Sequence, residues 1–215
     1  MNSGPDRSLA PALVQWGAVS GIAGLCSYVG AAFIPLPDLA GYGLVFFMGP
    51  LLALSFVGVH AALAAHRDSV TARFGMVLGI VAGGIVNIML VIQGANNILR
   101  ARGADSAMSE ADRETAELVW RAVNRVQFSI DVSWDFFITL AGILLGIAML
   151  SHPKFGKLFG WSGIVLGALL LSLNMWTFPI PPAEAGSIDL GPLVALWFLA
   201  VFIRMLTLRG WLREG

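Results

Sequence analysis

From Phe74 to Leu99 the chain runs for 26 residues without a charged side chain. At 1.5 Å per residue this is enough helix to cross the roughly 30 Å hydrocarbon core of a bilayer. Runs of similar character fall at about 12–34, 39–65, 126–150, 158–178 and 190–208. Of the 215 residues, 57% are hydrophobic and 12% are charged, where an ordinary soluble domain has about 25% charged residues. In lipid each backbone N–H and C=O must be satisfied within its own segment, so these runs are read as helices. The alternating polar and apolar strands of a β-barrel are absent. The expected fold is all-α: a polytopic membrane protein with a six-transmembrane-helix bundle, one domain over residues 1–215.

Proline and charge punctuate the runs. Pro35 and Pro37 end the first, and Pro50 falls inside the second, where neighbouring helices can satisfy the carbonyl it frees. His66 to Arg73 is a short charged turn. Residues 101–123 form the longest connection. Ser109, followed by Glu110, Asp112 and Glu114, reads as an N-cap with an acidic first turn. A helix over about 109–125 should therefore lead straight into the fourth span. The apolar run after Arg7 is longer than a signal-peptide core and is read as an uncleaved first span.

Lysine and arginine set the orientation. Arg7, Arg67, Arg73, Lys154, Lys157, Arg204, Arg209 and Arg213 fall on one side of a six-span topology, and the first and fifth loops hold none. Both termini are expected in the cytoplasm. The third loop, with Arg100, Arg102, Arg113, Arg121 and Arg125 balanced by five acids, is the one dissent.

Chemistry concentrates in the fourth span. Asn124, Gln127, Asp131 and Asp135 recur at spacings of three and four, so they share one helix face, bordered by Trp120 and Trp134. A carboxylate at mid-membrane costs roughly 2.5–3.5 kcal/mol on insertion scales, so a lipid-facing stripe of this kind is disfavoured. The topology brings Gln93, Asn96, Asn97 and Arg100 of the third span to similar depth, with Asn87 nearer the middle and Asn174 of the fifth span in the same outer layer. An outward-opening polar pocket is expected, lined by Asp131, Asp135, Gln127, Asn124, Trp134, Arg100, Asn96, Asn97, Asn87 and Asn174. Two carboxylates one helical turn apart repel when both are ionised, which suits a proton-coupled site. Alternatively Arg100 or Arg125 neutralises one Asp, and the amides are interhelical bonds that specify packing.

Other chemistries find little support. Asp131-x-x-x-Asp135 resembles the carboxylate pairs by which membrane prenyltransferases and alcohol phosphotransferases hold Mg²⁺, but no other span supplies further acids. The single cysteine, Cys26, permits no disulfide or thiol pair. His60 has no second buried histidine placed to complete a haem site. His66 and His152 fall in turns. There is no GxSxG elbow, no ATP-binding loop and no basic patch for nucleic acid. Neither a cofactor nor a metal is expected.

Glycines repeat every four residues at Gly75, Gly79 and Gly83, and again at Gly17 and Gly21, Gly142 and Gly146, and Gly163 and Gly167. Such rows let helices approach closely in lipid, inside one bundle in preference to a dimerisation face. The segments at 66–83 and 152–167 both run from a histidine through a basic turn to Phe-Gly and Gly-Ile-Val-x-Gly, a pattern compatible with duplication.

SHPKFGKLFGWSGIVLGALL (151–170) and SIDLGPLVALWFLAVFIRML (187–206) resemble stretches of bacterial six-span integral membrane proteins. The resemblance covers the last third of the chain, implies a bacterial inner-membrane location and carries no activity with it. The leading expectation is a small binding or transport protein for a cation, a proton or an amine. The other classes are a structural subunit, whose stripe serves assembly with a partner membrane protein or a second copy, and an enzyme acting on lipid.

Overall fold

Each apolar run is one helix in the computed structural model, which describes residues 10–34, 38–103 and 109–214. The helices are α1 (Ala10–Phe33), α2 (Asp38–Ala64), α3 (Val70–Gly103), α4 (Glu110–Met149), α5 (Gly156–Thr177), α6 (Gly191–Leu206) and α7 (Arg209–Glu214). There is no strand among the described residues. Five helices, α1 to α5, are long and apolar enough to cross a membrane. The helix at the expected sixth span, α6, has 16 residues, about 24 Å of rise.

The expected start of the fourth run is observed. Ser109 caps α4 by accepting a hydrogen bond from the Asp112 N–H at 3.2 Å, and Glu110 and Asp112 occupy the first turn, where the helix dipole favours them. The helix continues unbroken for 40 residues, about 60 Å. It is far longer than a bilayer needs, so its first turns project beyond the bundle. Helix α2 also runs on through Pro50.

Consecutive helices are neighbours, and α6 returns to α1, closing a ring. An even number of antiparallel passes puts the first and last helices at one end, where α7 packs on α1. Glycine permits this closeness. Gly17 lies against Gly58, Gly83 against the carbonyl of Gly49, and Gly146 against Gly160. Gly75 accommodates Leu145, while Gly79, Gly21 and Gly163 accommodate the rings of Phe56, Phe202 and Trp197. The glycine rows are thus taken up inside the bundle, as expected of lipid-embedded packing.

The rings seated on these glycines form a layer across the ring of helices. Phe198 meets Phe56 edge-on at 5.4 Å and Trp197 at 4.7 Å, and stacks with Phe202 at 6.1 Å. Toward the terminal end the core continues through Leu145, Met149, Val201 and Met205, all buried. That half of the bundle is closed and apolar.

One histidine organises the terminal end. His152 is buried in the turn between α4 and α5, and its Nδ1 accepts from the backbone N–H of Lys154 and Phe155. The proton is therefore assigned to Nε2, which donates to the Ala62 carbonyl of α2 at 3.3 Å. Gly156, at φ 69°, completes the turn by donating to the His152 carbonyl. The rings of His66 and Trp211 each lie 5.3 Å from His152, so the two histidines heading the similar segments meet in space. His60 faces Asp68 at 3.6 Å across the α2–α3 turn, and Asp68 also pairs with Arg73.

Candidate functional site

The spacing that puts Asn124, Gln127, Asp131 and Asp135 on one face of α4 also turns that face inward. Gln127 is 6% exposed and Asp135 8%, while Asn124 and Asp131 are half-buried. Opposite Asp135 stands Asn174 of α5, with no exposed surface, whose Nδ2 donates to Asp135 Oδ2 at 2.9 Å. The same nitrogen donates to the Leu170 carbonyl at 3.0 Å. The Asn174 oxygen is buried and accepts nothing. One turn further along α4, Thr139 donates to the Asp135 carbonyl at 2.6 Å, so the polar layer ends there on its own backbone.

Neither carboxylate has a cationic partner among the described residues. The ion pairs found there join His60 and Arg73 to Asp68, and Arg121 to Glu117. The two arginines offered as alternative partners for one of the acids stand elsewhere. Arg100 lies over the Trp120 ring, its guanidinium carbon 3.9 Å from the centroid, and Arg125 is exposed. Removing one partner of a buried ion pair costs about 3–5 kcal/mol because a charge is left alone. Two acids without a cationic partner therefore call for a positive species or a proton.

The expected convergence of polar groups divides into two levels. Asn96 is buried and donates to the Trp120 carbonyl at 3.3 Å, and Arg100 caps the same tryptophan. Trp120 precedes Asp135 by 15 residues on one continuous helix, about 22 Å along its axis. Asn96, Arg100 and the exposed Asn97 thus belong to the projecting α3–α4 hairpin, well away from Asp135 and Asn174. Asn87 lies against Gly49 of α2 with its side-chain oxygen unpartnered. Trp134 is half-buried, and its indole N–H has no acceptor. A concavity lined by Arg113, Glu114, Glu117, Leu118 and Arg121 lies along one side of the first turns of α4, away from the carboxylates.

Three exposed residues outside the expected set influence the carboxylates electrostatically. Tyr28 of α1 and Asp189 of the α5–α6 connection lie within electrostatic reach of Asp131 and of each other, and Glu184 also reaches Asp131. The connection packs inward through buried Pro181 and Pro182 and folds on itself by Ser187 N–H to Pro182 carbonyl, 2.8 Å, leaving Glu184 and Asp189 exposed. A signal for them was present: this connection carries two acids and no base.

No family model, curated protein or solved structure matches the chain. The chemistry of the site therefore rests on its own groups. No three of the described histidines, cysteines and acids are placed to share a metal ion. The carboxylates feel one another's charge without forming a chelating cage.

Proposed function

We propose that this chain is a small six-span membrane protein that binds a cationic ligand at Asp131 and Asp135, as a binding or transport protein. In this reading α6 makes the sixth crossing, the membrane is the bacterial inner membrane, and the termini lie in the cytoplasm. The Asp131–Asp135 site then opens to the outside. The observation that carries the reading is the burial of Asp135 against a neutral amide with no cation of the protein at hand. A cation or proton from solution supplies the missing charge.

The hydrogen bond between Asn174 and Asp135 also ties α5 to α4, and this favours a second reading, in which the stripe serves helix assembly in an accessory subunit. Thermal unfolding of the detergent-purified protein across pH and a panel of cations and amines separates the two. Ligand that binds only the folded state raises its stability by mass action. A ligand-specific rise that disappears in Asp131→Asn/Asp135→Asn supports the binding site. A double variant that is less stable, with no ligand response in wild type, supports assembly.

A further inference from the structure

We propose that the group this site accepts is a primary ammonium, R–NH₃⁺, held between the Asp135 carboxylate and the side-chain oxygen of Asn174; the inference rests on the cation-binding reading above. It starts from the Asn174 amide. Both hydrogens of its Nδ2 are used, one on Asp135 Oδ2 at 2.9 Å and one on the Leu170 carbonyl at 3.0 Å. This fixes which end of the amide is oxygen. That oxygen is fully buried and receives no donor from the protein. It belongs to the same planar group that touches the carboxylate, so it stands in the carboxylate's own layer.

The unmet capacity of this pair, the Asn174 oxygen and the remaining lone pairs of Asp135, is all acceptor. A carboxylate offers about four lone-pair positions, and among side chains Asp135 receives only the Asn174 N–H. An unsatisfied buried acceptor carries its full desolvation cost, so the complement must bring positive charge and several donors together. A primary ammonium is a compact charge with three N–H donors, the same head that lysine presents. Competing ligands fit less well. A calcium-like ion takes about six to eight oxygens, and no such gathering of acidic ligands is present among the described residues. A quaternary ammonium has no N–H and relies on a cage of aromatic faces. A proton neutralises the carboxylate and leaves the Asn174 oxygen unmet.

Burial is graded along the approach. Glu184 and Asp189 are exposed, Asp131 is half-buried, Asp135 is buried and Asn174 has no exposed surface. Beyond them the rings of Trp197 and Phe198 close against Gly142 and Gly163. The exposed acids make the approach to Asp135 favourable for a cation, and the aromatic layer bounds the site on the far side. The ammonium can belong to a soluble alkylamine or to the headgroup of an ethanolamine lipid.

The test measures unfolding temperature in detergent with methylammonium, tetramethylammonium or potassium chloride at equal ionic strength and pH. Wild type should gain several degrees with saturating methylammonium over the other two salts, and Asp135→Asn should lose that gain. Arg100→Gln, altered in the remote hairpin, should keep it. In nanodiscs, a gain on adding phosphatidylethanolamine to phosphatidylcholine identifies the headgroup as the source, and a gain from methylammonium alone identifies a soluble amine. An equal Asp135-dependent gain with potassium or tetramethylammonium overturns the ammonium assignment and leaves the cation reading standing. No response to any of the three salts removes both. Should Asp135→Asn fail to fold, binding of radiolabelled methylammonium to wild type decides the question: displacement by ethylammonium and not by tetramethylammonium supports the proposal, and displacement by both overturns it.

Discussion

Asn174 donates a hydrogen bond to Asp135 at 2.9 Å, joining α5 to α4 through a carboxylate that has no ion-pair partner among the described residues. A bond of this kind serves packing and ligand binding alike, and substitution separates the two. Asn174→Leu leaves the buried carboxylate without its donor and should cost about 1–3 kcal/mol of stability. Asp135→Leu combined with Asn174→Leu removes both polar groups and should recover most of that loss. The measurement is apparent melting temperature for the two single variants and the double. Recovery of stability together with loss of the ligand-induced shift assigns the pair to binding; a double variant worse than either single assigns it to packing.

The projecting hairpin provides a contrasting pair. Arg100 stacks on Trp120 about 22 Å along α4 from Asp135. Arg100→Gln should cost about 0.5–1 kcal/mol, the range for an exposed cation–π contact. The response of the protein to cations should not change. A variant that alters that response would show that the two levels communicate.

The glycine rows predict position-dependent damage. A methyl group at Gly79 would run into the Phe56 ring, whereas one at Gly84 on the same helix meets nothing within 4 Å. Gly79→Ala should destabilise by about 1–3 kcal/mol through overpacking, and Gly84→Ala should be close to neutral. Thermal stability of the two purified variants checks this. Equal behaviour would contradict the seating of Phe56 on α3.

Much of this organisation was legible in the sequence, for identifiable physical reasons. Charge-free runs with the length of a membrane helix have few alternatives, so the helices and the Ser109 cap followed from composition and local chemistry. The inward turn of the Asp131 face followed from spacing, because period fixes which residues share a face. Depth did not follow. Placing Asn96 and Arg100 beside the carboxylates assumed that α3 and α4 cross at one level, and their actual register depends on which side chains interlock, Gly75 against Leu145 and Asn96 against the Trp120 carbonyl. The electrostatic influence of Tyr28 on the carboxylates was also hidden, since it depends on how α1 sits in the ring. Partners between helices far apart in sequence leave no periodic trace.

His152 makes the terminal end sensitive to acid. Burial pushes its imidazole down to about 4, and neighbouring His66 and Arg204 act in the same direction. In the unfolded chain the group titrates near about 6.5. Above that value both states are neutral, and the contacts to Ala62, Lys154 and Phe155 are fully available. As pH falls from about 6.5 toward 4, the unfolded chain takes up a proton that the folded imidazole resists, so stability is lost across that window. The loss between pH 7 and pH 5 should be about 2 kcal/mol. His152→Gln should be less stable at neutral pH, because it gives up the three-way contact, and its melting temperature should fall less between pH 7 and pH 5. Apparent melting temperature against pH for the two proteins tests this. Parallel curves would assign the acid sensitivity to other groups.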